Sequence, residues 1–108
     1  MKQLRSTLAL ITMLAACATP VEHETFVRVM DRQVGKNIED PDFYPTYYKL
    51  KPAESKRVKS GNNEDAYFAG RREKCKVYFE RDGTGRVVRW RSEGDKSDCV
   101  ILPVTREQ

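Results

Sequence analysis

The sequence predicts an α+β domain: an N-terminal helix, with a second short helix, packed on a small three-stranded antiparallel sheet. Three observations carry this. Apolar residues repeat at helical spacing in the twenties and thirties. Prolines then break the chain three times between 41 and 52. From residue 66 onward, short segments with period-two alternation are separated by glycine-containing turns, the mark of strands joined by hairpins.

The first element is the N-terminus. Lys2 and Arg5 make a short basic flank, and Thr7 to Leu14 form an apolar run closed by Ala15-Ala16. Charge, apolar run and small residues in that order mark a secretory signal. The run is far shorter than the ~20 residues of a membrane-spanning helix. An ordinary cleavage site needs no cysteine, yet Cys17 follows at once. Leu14-Ala15-Ala16-Cys17 resembles the lipobox of bacterial lipoproteins. The resemblance implies removal of residues 1–16, a diacylglycerol on the Cys17 sulfur and an acylated new N-terminus. Several acyl chains hold a protein on a membrane far more firmly than one. Ala18 rather than Asp after the cysteine implies, by the same resemblance, the outer membrane, facing the periplasm.

Removing residues 1–16 from the 108 leaves 92, one small domain spanning 17–108. A core of that size is marginal and often needs a covalent staple. The chain holds 20 basic and 16 acidic residues; losing Lys2 and Arg5 lowers the formal net charge from +4 to +2. That balance, in a periplasmic setting, gives no reason to expect nucleic acid. With Cys17 acylated, Cys75 and Cys99 remain, and an even count in an oxidising compartment predicts a disulfide. A loop of that length stabilises the fold by roughly 3.5 kcal/mol on chain-entropy arithmetic. No Cys-x-x-Cys occurs and the single histidine, His23, lies far upstream, so no metal site is expected.

Thr19-Pro20-Val21-Glu22 has the form of a helix start, with Thr19 as cap and Pro20 at the first helical position. Phe26, Met30 and Val34, with Val27 beside them, make an apolar stripe, and Gly35 is a stop. The spacing predicts a helix over about 20–34. His23, between Glu22 and Glu24, reads as a solvated residue near the membrane rather than a ligand.

Pro41, Pro45 and Pro52 exclude a long helix between 35 and 52, leaving room for a single turn near Asn37 to Asp40. Phe43, Tyr44, Tyr47 and Tyr48 sit between these prolines. They are either cover for the core or an exposed recognition surface. Residues 53–65 are polar, and Ser60-Gly61-Asn62-Asn63 reads as a turn or flexible loop. Lys56-Arg57-Val58-Lys59 is basic and either touches anionic headgroups or is simply solvated.

The sheet follows. Asp65 to Gly70, with Ala66-Tyr67-Phe68-Ala69 at its centre, reads as a short strand. Cys75 to Glu80 alternates, with Cys75, Val77 and Phe79 on one face; Arg81 to Arg86 holds the Asp82-Gly83 pair of a hairpin turn; Val87 to Arg91 returns with Val88 and Trp90 on one face. A turn centred at Gly83 and Thr84 sets Cys75 opposite about Ser92, so Glu93 to Asp98 must curl back for Cys99 to reach Cys75. Val100-Ile101-Leu102 suggests a short last strand. Arg86, Arg89 and Arg91, with Lys76 near them, make a basic sheet face that is either a partner surface or a solvated one.

The order of lipobox, helix, proline-broken link and C-terminal meander resembles small outer-membrane lipoproteins of the SmpA/OmlA type, the BamE-like group. The stretch from Cys75 to Cys99, with Phe79, Gly85-Arg86-Val87, Trp90 and Gly94, carries the likeness over about a quarter of the chain. The resemblance implies short helices against a three-stranded antiparallel sheet. Function follows from sites rather than folds, and no nucleophile–base pair or phosphate-cradling loop is present. The expectation is a non-enzymatic structural, assembly or interaction module, held on the membrane by lipid and docked on an envelope protein. It requires no cofactor and no small-molecule substrate. The alternative is a lipid-tethered binder or inhibitor of a soluble hydrolase such as a lysozyme.

Overall fold

The computed structural model describes residues 20–101; the signal at 1–16, Cys17, the Thr19 cap and Leu102 lie outside that range. The expected α+β fold is the fold found, with four antiparallel strands instead of three. Helix α1 spans Pro20–Asp31, a one-turn helix α2 spans Tyr44–Tyr47, and the strands are β1 (Lys51–Arg57), β2 (Asn63–Ala69), β3 (Cys75–Arg81) and β4 (Val87–Glu93). They pair in chain order as a meander, β1-β2-β3-β4.

The added strand is β1, in a polar stretch where the sequence predicts no element. It carries no alternation because neither face is covered: all its residues except half-buried Ala53 are exposed. Its pairing with β2 runs from Lys51 opposite Phe68 to Arg57 opposite Asn63, with a bulge between Pro52 and Glu54. The polar turn at 58–62, closed by Val58 N–H to the Asn62 carbonyl (2.9 Å), joins them.

α1 buries Phe26 and Met30 completely. The stripe then departs from expectation. Val29 and Gln33 face inward, while Val34 is 44 % exposed. The helix ends at Asp31 because bonds from Gln33 to Met30 and from Val34 to Asp31 tighten the last turn. Gly35, with φ +96°, then lets the chain run beside β4, where Gly35 N–H donates to Val87 O and Val87 N–H to Lys36 O, both at 2.8 Å. Asn37 bridges to Arg86, and Ile38 N–H donates to Gly85 O at 2.9 Å. The outer edge of β4 is therefore covered at its start.

The core lies between α1 and the inner face of β3 and β4. Phe26, Met30, Phe43, Val77, Phe79 and Val87 are buried there, with Cys75 and Cys99. Burying one large apolar side chain of this kind contributes roughly 1.5–3 kcal/mol. Phe43 meets Phe79 edge-on at 5.0 Å, and Phe26 meets Trp90 edge-on at 5.9 Å. Trp90 also donates its indole N–H to Asp31 (2.8 Å), fixing the helix end to β4. A bulge between Glu80 and Arg81 shifts the β3–β4 register. Val87 thereby joins the core while Val88 is only half-buried, and Ser92 pairs with Val77 rather than with Cys75.

Cys75 and Cys99 form the expected disulfide, and both are buried. The curl after β4 is held by the Asp95 carbonyl, which accepts from Asp98 and Cys99 N–H. Two glycines make the corner passable. A Cβ on Gly70 would stand 2.0 Å from the Asp98 carbonyl oxygen, and one on Gly94 would stand 3.0 Å from the Lys74 carbonyl. Neither described residue after Cys99 is in a strand: Val100 is a buried bend, and Ile101 packs on the core.

Candidate functional site

The sequence-predicted partner residues separate into three groups. Phe43 is core. Tyr44 is half-buried, Tyr47 is 64 % exposed and Tyr48 39 % exposed. The proline-broken stretch is thus core cover on one side and exposed surface on the other. Tyr48 stacks against both Tyr44 and Tyr47, with ring centroids 4.7 and 4.9 Å away. The Pro45 ring starts this single helical turn, and the Gln33 side chain anchors it by accepting from Tyr44 N–H at 2.9 Å. Gln33 was missed in the sequence; its position three residues after Met30, in place of an apolar residue, was the signal.

The arginines of β4 do not form a basic face. Arg91 makes a two-pronged pair with Glu64, both contacts 3.1 Å, and reaches Glu93 at 3.2 Å. It also lies 3.7 Å over the Tyr78 ring. Hydrogen bonding to Glu64 raises the Arg91 pKa further, against a smaller opposing effect of burial. Arg89 pairs with Glu80 at 3.3 Å. Glu80 also accepts from Asn62 (2.8 Å) and Ser60 (3.0 Å), and these bonds hold its carboxyl below the usual range despite burial. Tyr78 donates to Glu93 at 2.8 Å. That bond, with Arg91, lowers the Glu93 carboxyl. Arg86 donates to the Gly35 carbonyl at 3.1 Å. The outer face of β3 and β4 is therefore a closed network in which each arginine is already engaged, because cross-strand neighbours of opposite charge face one another.

His23 is not the solvated residue expected. It is half-buried, its Nδ1 lies 3.0 Å from the Cys99 carbonyl, and its ring stacks on Phe26 at 5.9 Å. Among the described residues no group of three or more His, Cys, Asp or Glu is placed to hold a metal ion.

A cleft of about 370 Å³ opens where α2, the start of β1 and the end of β2 meet. Tyr44, Tyr48, Leu50, Phe68 and Ala69 form its apolar wall, and Lys49, Lys51 and Glu73 stand at its rim. Its size falls within the range of small-ligand and side-chain pockets. Burial pushes the Tyr44 phenol up to about 12, with a smaller push from Tyr48. Near neutral pH it is a protonated hydroxyl that can donate a hydrogen bond. Lys51 pairs with Glu73 at 3.5 Å.

The backbone around this cleft is strained. Lys49 (φ +53°), Arg72 (+55°) and Glu73 (+57°) are the non-glycine residues with positive φ among the described ones. Two of the three line the cleft and Arg72 adjoins it. Such conformations cost of order 1–3 kcal/mol each and cluster at binding sites. Aromatic wall, cationic rim and strained mouth make this cleft, with the β1 edge beside it, the candidate site.

Comparison with known proteins finds no matching family model, no matching curated protein and no matching solved structure.

Proposed function

We propose that the mature chain is a lipid-anchored envelope protein, a non-enzymatic interaction module at the periplasmic face of the outer membrane. The observation that carries this is the order of Lys2 and Arg5, the apolar run to Leu14, and Ala15-Ala16-Cys17. An ordinary export signal needs no cysteine directly behind its small residues, whereas a lipobox requires one. Two features support the reading. The buried disulfide suits an oxidising compartment. No described helix is long and apolar enough to cross a membrane; in this reading the acyl chains on Cys17 supply the attachment. The resemblance to SmpA/OmlA-type lipoproteins supports an assembly or scaffolding role, with a cleft and a sheet edge as the means of contact.

The test is metabolic labelling with a fatty acid carrying a detectable tag. The wild-type chain should take up label and fractionate with outer membranes, and Cys17→Ser should do neither. Label on the Cys17→Ser chain, or none on the wild type, would overturn the anchor.

A further inference from the structure

The positive charge of this protein is not where its arginine-rich strand suggests. Residues 49–59 hold Lys49, Lys51, Lys56, Arg57 and Lys59 against one acid, Glu54. That excess of four equals the formal net charge of the whole chain, +4, and exceeds the +2 of the mature form. The structure lays this segment along one line: the rim of the cleft, then β1, then the turn into β2. Lys51 alone among these five cations is in an ion pair. On β4, by contrast, Arg89 and Arg91 are both neutralised by carboxylates.

This charged line is also a free sheet edge. β1 pairs with β2 on one side, and no described strand lies on the other. A strand edge offers a row of unpaired backbone donors and acceptors, a ready template for another extended chain. Proline and a bulge blunt such edges, and here Pro52 and the 52–54 bulge interrupt the beginning of β1. From Ser55 to Arg57 the register is regular, residue by residue, against Asp65 to Asn63. Two hollows flank the strand. One is the aromatic cleft at its start, and the other, of about 280 Å³, is lined by Pro52 to Ser55 with Asp65 and Tyr67.

We infer that the β1 edge is a docking strip for an extended, acidic segment of an envelope protein. The segment adds as a fifth strand beside Ser55–Arg57, carboxylates on its two faces meet Lys56 on one side of the sheet and Arg57 on the other, Lys49 and Lys59 lie at its two ends, and an apolar side chain enters the Tyr44–Tyr48–Phe68 cleft. Unpaired cations supply attraction and orientation, backbone pairing supplies the extended geometry, and the cleft supplies an anchor. An anionic lipid surface would answer the charge but would not use the strand edge. The inference deepens the interaction-module reading and rests on it for the partner's location; strand addition itself is tested without lipid.

The experiment uses the mature chain with Cys17→Ser and a short synthetic peptide repeating glutamate–glutamate–valine, which as a strand carries carboxylates on both faces, followed by fluorescence anisotropy. The same peptide with lysine for glutamate and vesicles containing phosphatidylglycerol serve as competitors. K56E/R57E should weaken binding about tenfold or more, whereas R32E/K96E, with the same change in net charge and away from the cleft, should weaken it less than about twofold. All four side chains are exposed and without ion pairs, so both variants should keep the wild-type melting temperature. Hydrogen exchange at Ser55 to Arg57 should slow when the glutamate peptide is bound. Equal loss in the two variants, equal binding of the lysine peptide, displacement by vesicles without any exchange protection, or no binding would each overturn the docking strip. None of these results would alter fatty-acid labelling at Cys17, so failure of the strip and failure of the anchor are separable.

Discussion

The two halves of the sheet are built on opposite terms. β3 and β4 bury apolar side chains against α1, close a disulfide at one end and satisfy their surface charges across strands. β1, three strands away in the sheet order from β4, is exposed on both faces and leaves most of its cations unmatched. One half of the sheet specifies the fold; the other is held by backbone pairing and is available for contact. Opening free energies in one domain vary in this way, from the global value in the core to near zero at uncovered edges.

Several substitutions would sharpen or break that contrast. The largest effect is expected in the core: Phe79→Ala removes a fully buried ring touching Phe43 and Tyr67, and should cost about 3–5 kcal/mol, read by urea denaturation. Close behind is the covalent link. Replacing Cys75 and Cys99 by serine opens the 75–99 loop and should cost roughly 3.5 kcal/mol; an unchanged denaturation midpoint would mean that the disulfide end is not part of the rigid half.

Acid should weaken the charged outer face next. The folded Glu80 carboxyl titrates below its ordinary value of 4.5, so its contribution is full above that value. It is lost as pH falls through 4.5 toward the folded value. Melting temperature should therefore decline below about pH 5, and Glu80→Gln should flatten the decline while lowering the plateau above it. The smallest effect is expected on β1. Lys56→Ala and Arg57→Ala should each change stability by no more than about 0.5 kcal/mol, because neither side chain is buried or paired. A larger loss would show that β1 is structurally integrated after all.

The same contrast explains what could be read from the sequence. The β3–β4 hairpin is legible because one buried face writes a period of two into Cys75, Val77 and Phe79, and because Asp82 and Gly83 form a turn. Asp82 accepts from the backbone N–H of Thr84 (2.9 Å) and Arg86 (3.1 Å), which is the chemistry that pair encodes. β1 is illegible by the same rule: with no buried face it writes no period, and its one sign is the Ser60-Gly61-Asn62 turn that returns the chain into β2. The face of Arg86, Arg89 and Arg91 with Lys76, read as a partner surface or a solvated one, carries carboxylates as well, because composition along one strand is blind to the neighbouring strand. Glu64 and Glu80 stand beside those arginines only once the register exists. The aromatic stretch was legible as two alternatives, and the structure divides them, Phe43 inward and Tyr47 outward.

The junction of α1 with the disulfide corner has a mechanical meaning. His23 meets the Cys99 carbonyl, and Glu22 pairs with Arg71 at 3.5 Å, within the first turn of the helix. A chain tethered at Cys17 would deliver any tension to that first turn. From Cys99 the load crosses a covalent bond into Cys75, the first residue of β3, which has a hydrogen-bonded strand on each side. Force from the membrane would thus reach the middle of the sheet through a covalent bond and would not rest on the helix alone.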